Sequence, residues 1–307
     1  MELSIESILV LFGATLRIAT PILLGALGET VIERAGILNL GIEGTLLLSS
    51  FTGFVAAQVT GSLWIGLLAA MLTGVILCLL MGLLSVTLGL NQHVSGLGIT
   101  MLATALALFW FRLQYGGGTT PPALDASFQP LRAFTGTPLE PLFSQHWLVY
   151  LALILVPVIA WMLNRTSFGL RLRSVGENPE AADTAGVSVY RVRYEALIVG
   201  GILMGLGGAF LSLAQLGAFS HGIINGRGWV AIAIVIFGNW RPGRVLAGAL
   251  LFSFVNAVQL QISAVGISIP PEFSTMAPYI ITIIALMFAG RQTEKPTALT
   301  VPFERGD

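Results

Sequence analysis

The sequence predicts an all-α fold: a polytopic membrane helical bundle of about nine transmembrane helices, some of them broken. Three observations predict it. Hydrophobic residues make up 55% of the chain and charged residues 10%, where soluble domains carry about 25% charged residues. Apolar runs recur from one end to the other, and a bilayer core of about 30 Å takes about 20 apolar helical residues to cross. One long polar interval, 164–193, interrupts these runs and carries five arginines.

Taken in order, the spans are expected at 8–27, 37–59, 64–88, 95–113, 147–163, 194–215, 223–238, 245–262 and 275–289. Residues 1–7 hold Glu2 and Glu6 and no lysine or arginine. They lack the positive start of a cleaved signal peptide, so the first run is expected to be a retained span. Arg17 lies inside that run and must find a partner or reach back to water. Gly36-Ile37-Leu38-Asn39 reads as a helix break at the second run, and Gly222-Ile223-Ile224-Asn225 stands in the same relation to the seventh. With one of these runs starting from each side, the pair is consistent with an inverted repeat and a site near its interface. Residues 114–146 contain Gly116-Gly117-Gly118 and five prolines, which favours an irregular loop over another span. Gly201, Gly205, Gly207 and Gly208 supply the small-residue spacing that lets membrane helices approach closely.

Within 164–193, Asn178 is an N-cap residue, Pro179 takes the first helical position, Glu180 puts an acid in the first turn and Gly186 is a stop. A short separate helix is expected there, with Ser188 capping the next one. Lysine and arginine concentrate in short cytoplasmic loops. With 164–193 on the cytoplasmic side, that side holds eleven basic residues and the other holds three, Arg112, Arg132 and Arg227. The expected topology is one membrane domain over 1–307, with the amino terminus and the 114–146 loop outside and the 164–193 loop and carboxyl terminus in the cytoplasm.

Polar side chains within hydrocarbon are costly and usually face a cavity or another helix. On that ground the candidates for a solute pathway are Asn39, Glu43, Asn91, His93, Asn225, Trp229 and Asn256. Asn39 and Glu43 are four apart and share a helix face, as do Asn256 and Gln259 at three apart. Glu43 either lines the path or pairs with Arg34. A net charge of zero gives no reason to expect nucleic-acid binding. No catalytic motif is present, and no metal or cofactor is expected, since Cys78 stands alone in an apolar run. The lone lysine, Lys295, precedes Pro296, so there is no nucleotide-binding Gly-Lys-Ser/Thr. If ATP drives this protein, another chain binds it.

Gly176, Asn178, Ala181, Ala182 and Gly186 fall on the pattern Gly-x-Asn-x-x-Ala-Ala-x-x-x-Gly. At these residues the chain resembles the permease subunits of ATP-binding-cassette (ABC) importers, whose cytoplasmic coupling helix carries that pattern. ERAGILNLGIEG at 33–44 is similar to a stretch in permeases of the branched-chain amino acid and simple-sugar (ribose-type) importer family, as are NQHVSG at 91–96 and FGNWRP at 237–242. The likeness is to the nucleoside branch, which works with basic-membrane-protein-type binding proteins. The resemblance runs from about residue 20 to about residue 290. It implies an importer in the inner (plasma) membrane, with a second and different permease subunit, a cytoplasmic ABC ATPase and an extracytoplasmic substrate-binding protein. It also implies nucleosides or nucleobases as substrates, with simple sugars or branched-chain amino acids as the alternative. A secondary transporter is a further alternative, which the coupling loop and the scarcity of membrane carboxylates disfavour.

Overall fold

The computed structural model describes residues 5–116, 123–131, 134, 136–137, 139–264, 276, 280 and 294–304. Among these residues every regular element is a helix. The order is α1 (Ile5–Arg34), α2 (Ile42–Thr60), α3 (Leu63–Gly82), α4 (Gln92–Tyr115), α5 (Glu140–Phe143), α6 (Trp147–Arg165), α7 (Ser167–Glu177), α8 (Pro179–Thr184), α9 (Val189–Ala209), α10 (Arg227–Phe237) and α11 (Pro242–Ala264). Helices α3 and α9 continue as π-helical turns, Leu83–Thr87 and Phe210–Gln215.

Seven of these helices are long and apolar enough to cross a membrane: α1 to α4, α6, α9 and α11. The expected span at 223–238 is corrected. Its helix, α10, has 11 residues and a length of about 16 Å, roughly half a bilayer core. The expected ninth span, 275–289, lies outside the described residues. The first helix runs on to Arg34, beyond the expected end at Leu27. The apolar run stops there because Glu29 and Glu33 follow, yet both are buried against protein at 0% and 1% exposure, where their polarity does not end a helix.

Helix α9 is the centre of the bundle, with 83% of its apolar window buried, and it packs against α1, α2 and α3. Between lipid-soluble helices no hydrophobic drive distinguishes partner from solvent, so close backbone approach through small residues does the joining. Here Gly74 of α3 meets Gly201 and Gly205 of α9: a Cβ added at Gly201 would fall 2.7 Å from the Gly74 carbonyl oxygen, and one at Gly205 2.5 Å from Met71 Cα. Helices α6 and α11 are peripheral, with 33% and 28% of their windows buried.

The two loops lie at opposite ends. Gly13, near the start of α1, packs on the Pro141 carbonyl, and Gly176 packs on the carbonyl of Arg34 at the other end of the same helix. Residues 123–131 cross the end of α9, donating from Leu124 N to Gly217 O (2.8 Å) and from Phe128 N to Leu213 O (2.9 Å). Trp64, Phe128 and Trp147 cluster there, with Phe128 edge-on to both indoles. Arg17 reaches toward this end and is within electrostatic range of His146. At the far end, residues 294–304 form a strap: Ala298 N donates to Gly176 O (2.9 Å), Arg193 to Val301 O (3.3 Å) and Tyr190 to Phe303 O (3.2 Å).

Candidate functional site

Two helix breaks meet inside the bundle. The first begins where α1 stops: Ile37 N donates to Ile32 O (3.4 Å) and Gly36 N to Glu33 O (2.9 Å), with Gly36 left-handed at φ +85°. This pair of bonds is a Schellman cap, and glycine takes its left-handed position without strain. The chain then turns back into the protein, so that Asn39 N donates to Glu29 Oε1 at 2.8 Å. Glu29 lies five residues before the end of α1, so the chain passes back alongside the last turns of α1 before α2 starts.

The second break precedes α10. Asn225 (φ +49°) and Gly226 (φ +80°) are both left-handed, and they turn the chain into a helix whose first N–H groups have no partner within it. Glu43, in the first turn of α2, supplies the partner. Its Oε1 accepts from Gly226 N at 2.8 Å and its Oε2 from Gly228 N at 2.7 Å. A carboxylate on a helix N-terminus is favoured by both hydrogen bonding and the helix dipole. Gly228 allows the approach, since a Cβ there would lie 2.6 Å from Glu43 Cα. Helices α2 and α10 therefore start side by side and run to opposite ends of the bundle.

The far end of α10 is held by the last turn of α1. Asn239 (φ +50°) closes α10 with a second Schellman cap, Trp240 N to Val235 O (3.2 Å) and Asn239 N to Ile236 O (3.0 Å). Trp240 Nε1 donates to Glu33 Oε2 at 2.5 Å, and the Arg34 guanidinium donates to the carbonyls of Asn239 and Trp240 at 3.4 to 3.5 Å. Arg34 thus serves the carbonyl end of α10 and Glu43 serves the amide end. The alternative of a Glu43–Arg34 pair is excluded.

The other pathway candidates are placed unevenly. Asn39 is 1% exposed. Its Oδ1 accepts from Gly41 N at 2.9 Å and its Nδ2 points to Cys78 and Met204 sulfur at 3.7 and 3.9 Å, so it shapes the break and faces no open passage here. Asn91 is the N-cap of α4, accepting from His93 N and Val94 N, and His93 is exposed. Asn225 and Trp229 are exposed beside the Glu43 contact. Asn256 is half-buried on α11, apart from that contact. Two of the polar residues that join the breaks, Glu29 and Glu33, were outside the candidate set; the third, Gln92 beside Asn91, accepts from Leu38 N through its Oε1 at 2.7 Å. The signal for the first two was present, since carboxylates at i and i+4 at the end of an apolar run share one helix face.

The 176–186 segment folds as its local chemistry requires. Asn178 Oδ1 accepts from Ala181 N at 2.9 Å, Pro179 opens α8, and Gly186 (φ +83°) closes it with Val187 N donating to Ala182 O at 2.9 Å. Two of its five pattern residues face inward. Gly176 packs on Arg34, and Ala182 is 4% exposed within the chain's own core. Asn178, Ala181 and Gly186 are exposed. A further helix, α7, was not expected. It is capped by Thr166, whose Oγ1 accepts from Gly169 N at 3.1 Å, and its buried residues Gly169, Leu172, Val175 and Gly176 keep helical spacing.

A multi-span bundle with an internally started half-helix and a capped helix standing on one end is the architecture of a membrane permease. The chain belongs to the family described as branched-chain amino acid transport system / permease component, whose pattern matches residues 11–286. It is 35% identical to the guanosine ABC transporter permease protein NupQ of Bacillus subtilis, over 98% of each chain. It is 35% identical to the nucleoside ABC transporter permease protein NupC of Lactococcus lactis, over 89% of this chain and 90% of that one. It is 36% identical to TsgC13 of Haloferax volcanii, a candidate glucose ABC transporter permease, over 96% and 97%. A solved ABC transporter assigned to the metal-chelate type, in an inward-facing conformation, shares the fold with a TM-score of 0.50 at 18% identity, over 91% of this chain and 82% of that one.

Proposed function

We propose that the chain is one permease subunit of an ATP-driven importer for nucleosides or nucleobases in the plasma membrane. The observation that carries the reading is its near full-length likeness to two permeases named for such substrates. Solute passes along the face bearing Glu43, Asn225 and Trp229, which a second, different permease subunit completes. Glu43 and the start of α10 form a joint between two helices that run in opposite directions, the kind of discontinuity at which transporters place their sites. The end carrying α7 and α8 lies in the cytoplasm and receives a separate ABC ATPase on Asn178, Ala181 and Gly186. The end carrying 123–131 lies outside and meets the substrate-binding protein.

Reconstituted with its ATPase, second permease and binding protein, the chain is expected to support ATP-dependent uptake of radiolabelled guanosine that excess glucose leaves unchanged. The likeness to TsgC13 favours the sugar reading as the alternative, and uptake of glucose without guanosine would establish that one instead.

A further inference from the structure

At the α7–α8 end a cavity of about 460 Å³ opens between the last turns of α1 and α6, helix α7 and the turn into α11. Arg34, Arg173 and Arg241 line it together with Asn164 and Trp240. This is within the size of a small-molecule pocket. The three guanidiniums come from three separate elements, and Arg173 and Arg241 lie within electrostatic range of Arg34. Like charges gathered around one space repel each other unless an anion joins them. Glu177 and Glu294 are the acids within range of Arg34. Neither lines the cavity, and Glu177 accepts from Thr297 on the strap. Among the described residues no carboxylate stands in ion-pair contact with any of the three arginines. Arg34 spends its donors on two carbonyls at 3.4 to 3.5 Å and Arg173 its Nε on Gly169 O at 3.4 Å, all long bonds that leave donor capacity.

The geometry points to an anion with several oxygen acceptors, and the planar guanidinium fork matches phosphate. The cavity sits where α6 ends and α11 begins, and these two spans face outward from the bundle. At the ends of two outward-facing spans, the phosphate within reach is that of a phospholipid headgroup. We propose that this cavity binds the phosphodiester headgroup of an anionic phospholipid from the adjoining leaflet. Basic pockets between membrane helices are suited to such headgroups. The lipid would then bridge α1, α7 and the α10–α11 turn, the elements that also carry the Glu33–Trp240 contact.

The test is lipid retention by the purified full chain, counted by native mass spectrometry after exchange from nanodiscs of mixed phosphatidylglycerol and phosphatidylcholine. Wild type is expected to keep phosphatidylglycerol selectively. Arg241→Gln and Arg173→Gln are each expected to weaken retention by about tenfold, the lower end of what a hydrogen bond to a charged group contributes. Melting in pure phosphatidylcholine should match wild type, which separates lost binding from lost folding. Arg171→Gln, an exposed arginine of α7 outside the cavity, should retain lipid as wild type does. Equal retention in wild type and both cavity variants overturns the proposal, and so does an equal loss in Arg171→Gln. Displacement of the lipid by millimolar inorganic phosphate would assign the cavity to a soluble anion. Normal lipid retention with lost ATPase co-purification in Arg241→Gln would assign it to the ATPase. Either result overturns the lipid assignment.

Discussion

Glu43 accepts two backbone N–H groups from a different helix, so its carboxylate is part of how α10 begins. In Glu43→Gln one acceptor oxygen becomes an NH2 that faces an N–H, and a hydrogen bond to a charged group is lost. The expected cost is about 1.5 to 3 kcal/mol, read as a lower melting temperature of the purified protein together with reduced uptake. Wild-type melting in this variant would remove Glu43 from the structural joint. Asn39 makes a parallel case. Leucine there leaves Gly41 N without its acceptor in a buried place, at about 1 to 3 kcal/mol. Asn39→Leu should lower membrane abundance and uptake together. Normal abundance with lost uptake, measured by immunoblot beside transport, would show instead that Asn39 meets the solute. Neither role was legible from residue type, because both asparagine and glutamate in a span read as pathway groups until their partners are known.

Helix α8 was legible almost to the residue, because its caps are local: Asn178, Pro179 and Gly186 act within nine residues of chain. Which side of it meets the rest of the protein was not, since six residues are too few to show a period against a background of alanine. The structure puts Ala182 inside and Ala181 outside. Tryptophan at Ala182 should overpack the loop and destabilise it by about 1 to 3 kcal/mol, visible in the melting temperature of the chain alone. Tryptophan at Ala181 should leave that melting temperature unchanged and reduce ATPase co-purification. If the two variants exchange these outcomes, the face of α8 has been misassigned. Helix α7 was hidden for a different reason: its arginines and serines read as solvated loop, and its buried stripe of Gly169, Leu172, Val175 and Gly176 rests half on glycine, which carries no hydrophobic signal.

For the whole bundle, the α3–α9 crossing is a close helix contact built on glycine from both sides. A Cβ at Gly201 already meets a carbonyl oxygen of α3 at 2.7 Å, so Gly201→Leu must separate α3 from the central helix of the bundle. The expected outcome is protein that inserts but melts early or fails to accumulate. Wild-type accumulation and melting would mean the crossing is not a determinant of stability. Orientation is tested separately. A cysteine at the exposed Thr184 should resist impermeant thiol reagents in intact cells and one at the exposed Ala123 should react. The reverse pattern would invert the topology and move the ATPase to the other end.

Apolar length, cap residues and the distribution of arginine determine by themselves that this chain is an all-α membrane bundle, that a capped helix interrupts it after α6, and that glycines govern the helix crossings. These features are local: a span needs only its own 20 or so apolar residues, and a cap needs only its neighbours in sequence. What only the tertiary structure decided is pairing across long sequence distance. Glu43 meets Gly226 and Gly228, Glu33 meets Trp240, and Arg34, Arg173 and Arg241 share one cavity. It also decided that α10 is half a span. An apolar run of that length looks the same whether its N-terminus faces a headgroup or a half-buried carboxylate, and the difference is made by a side chain more than 180 residues away.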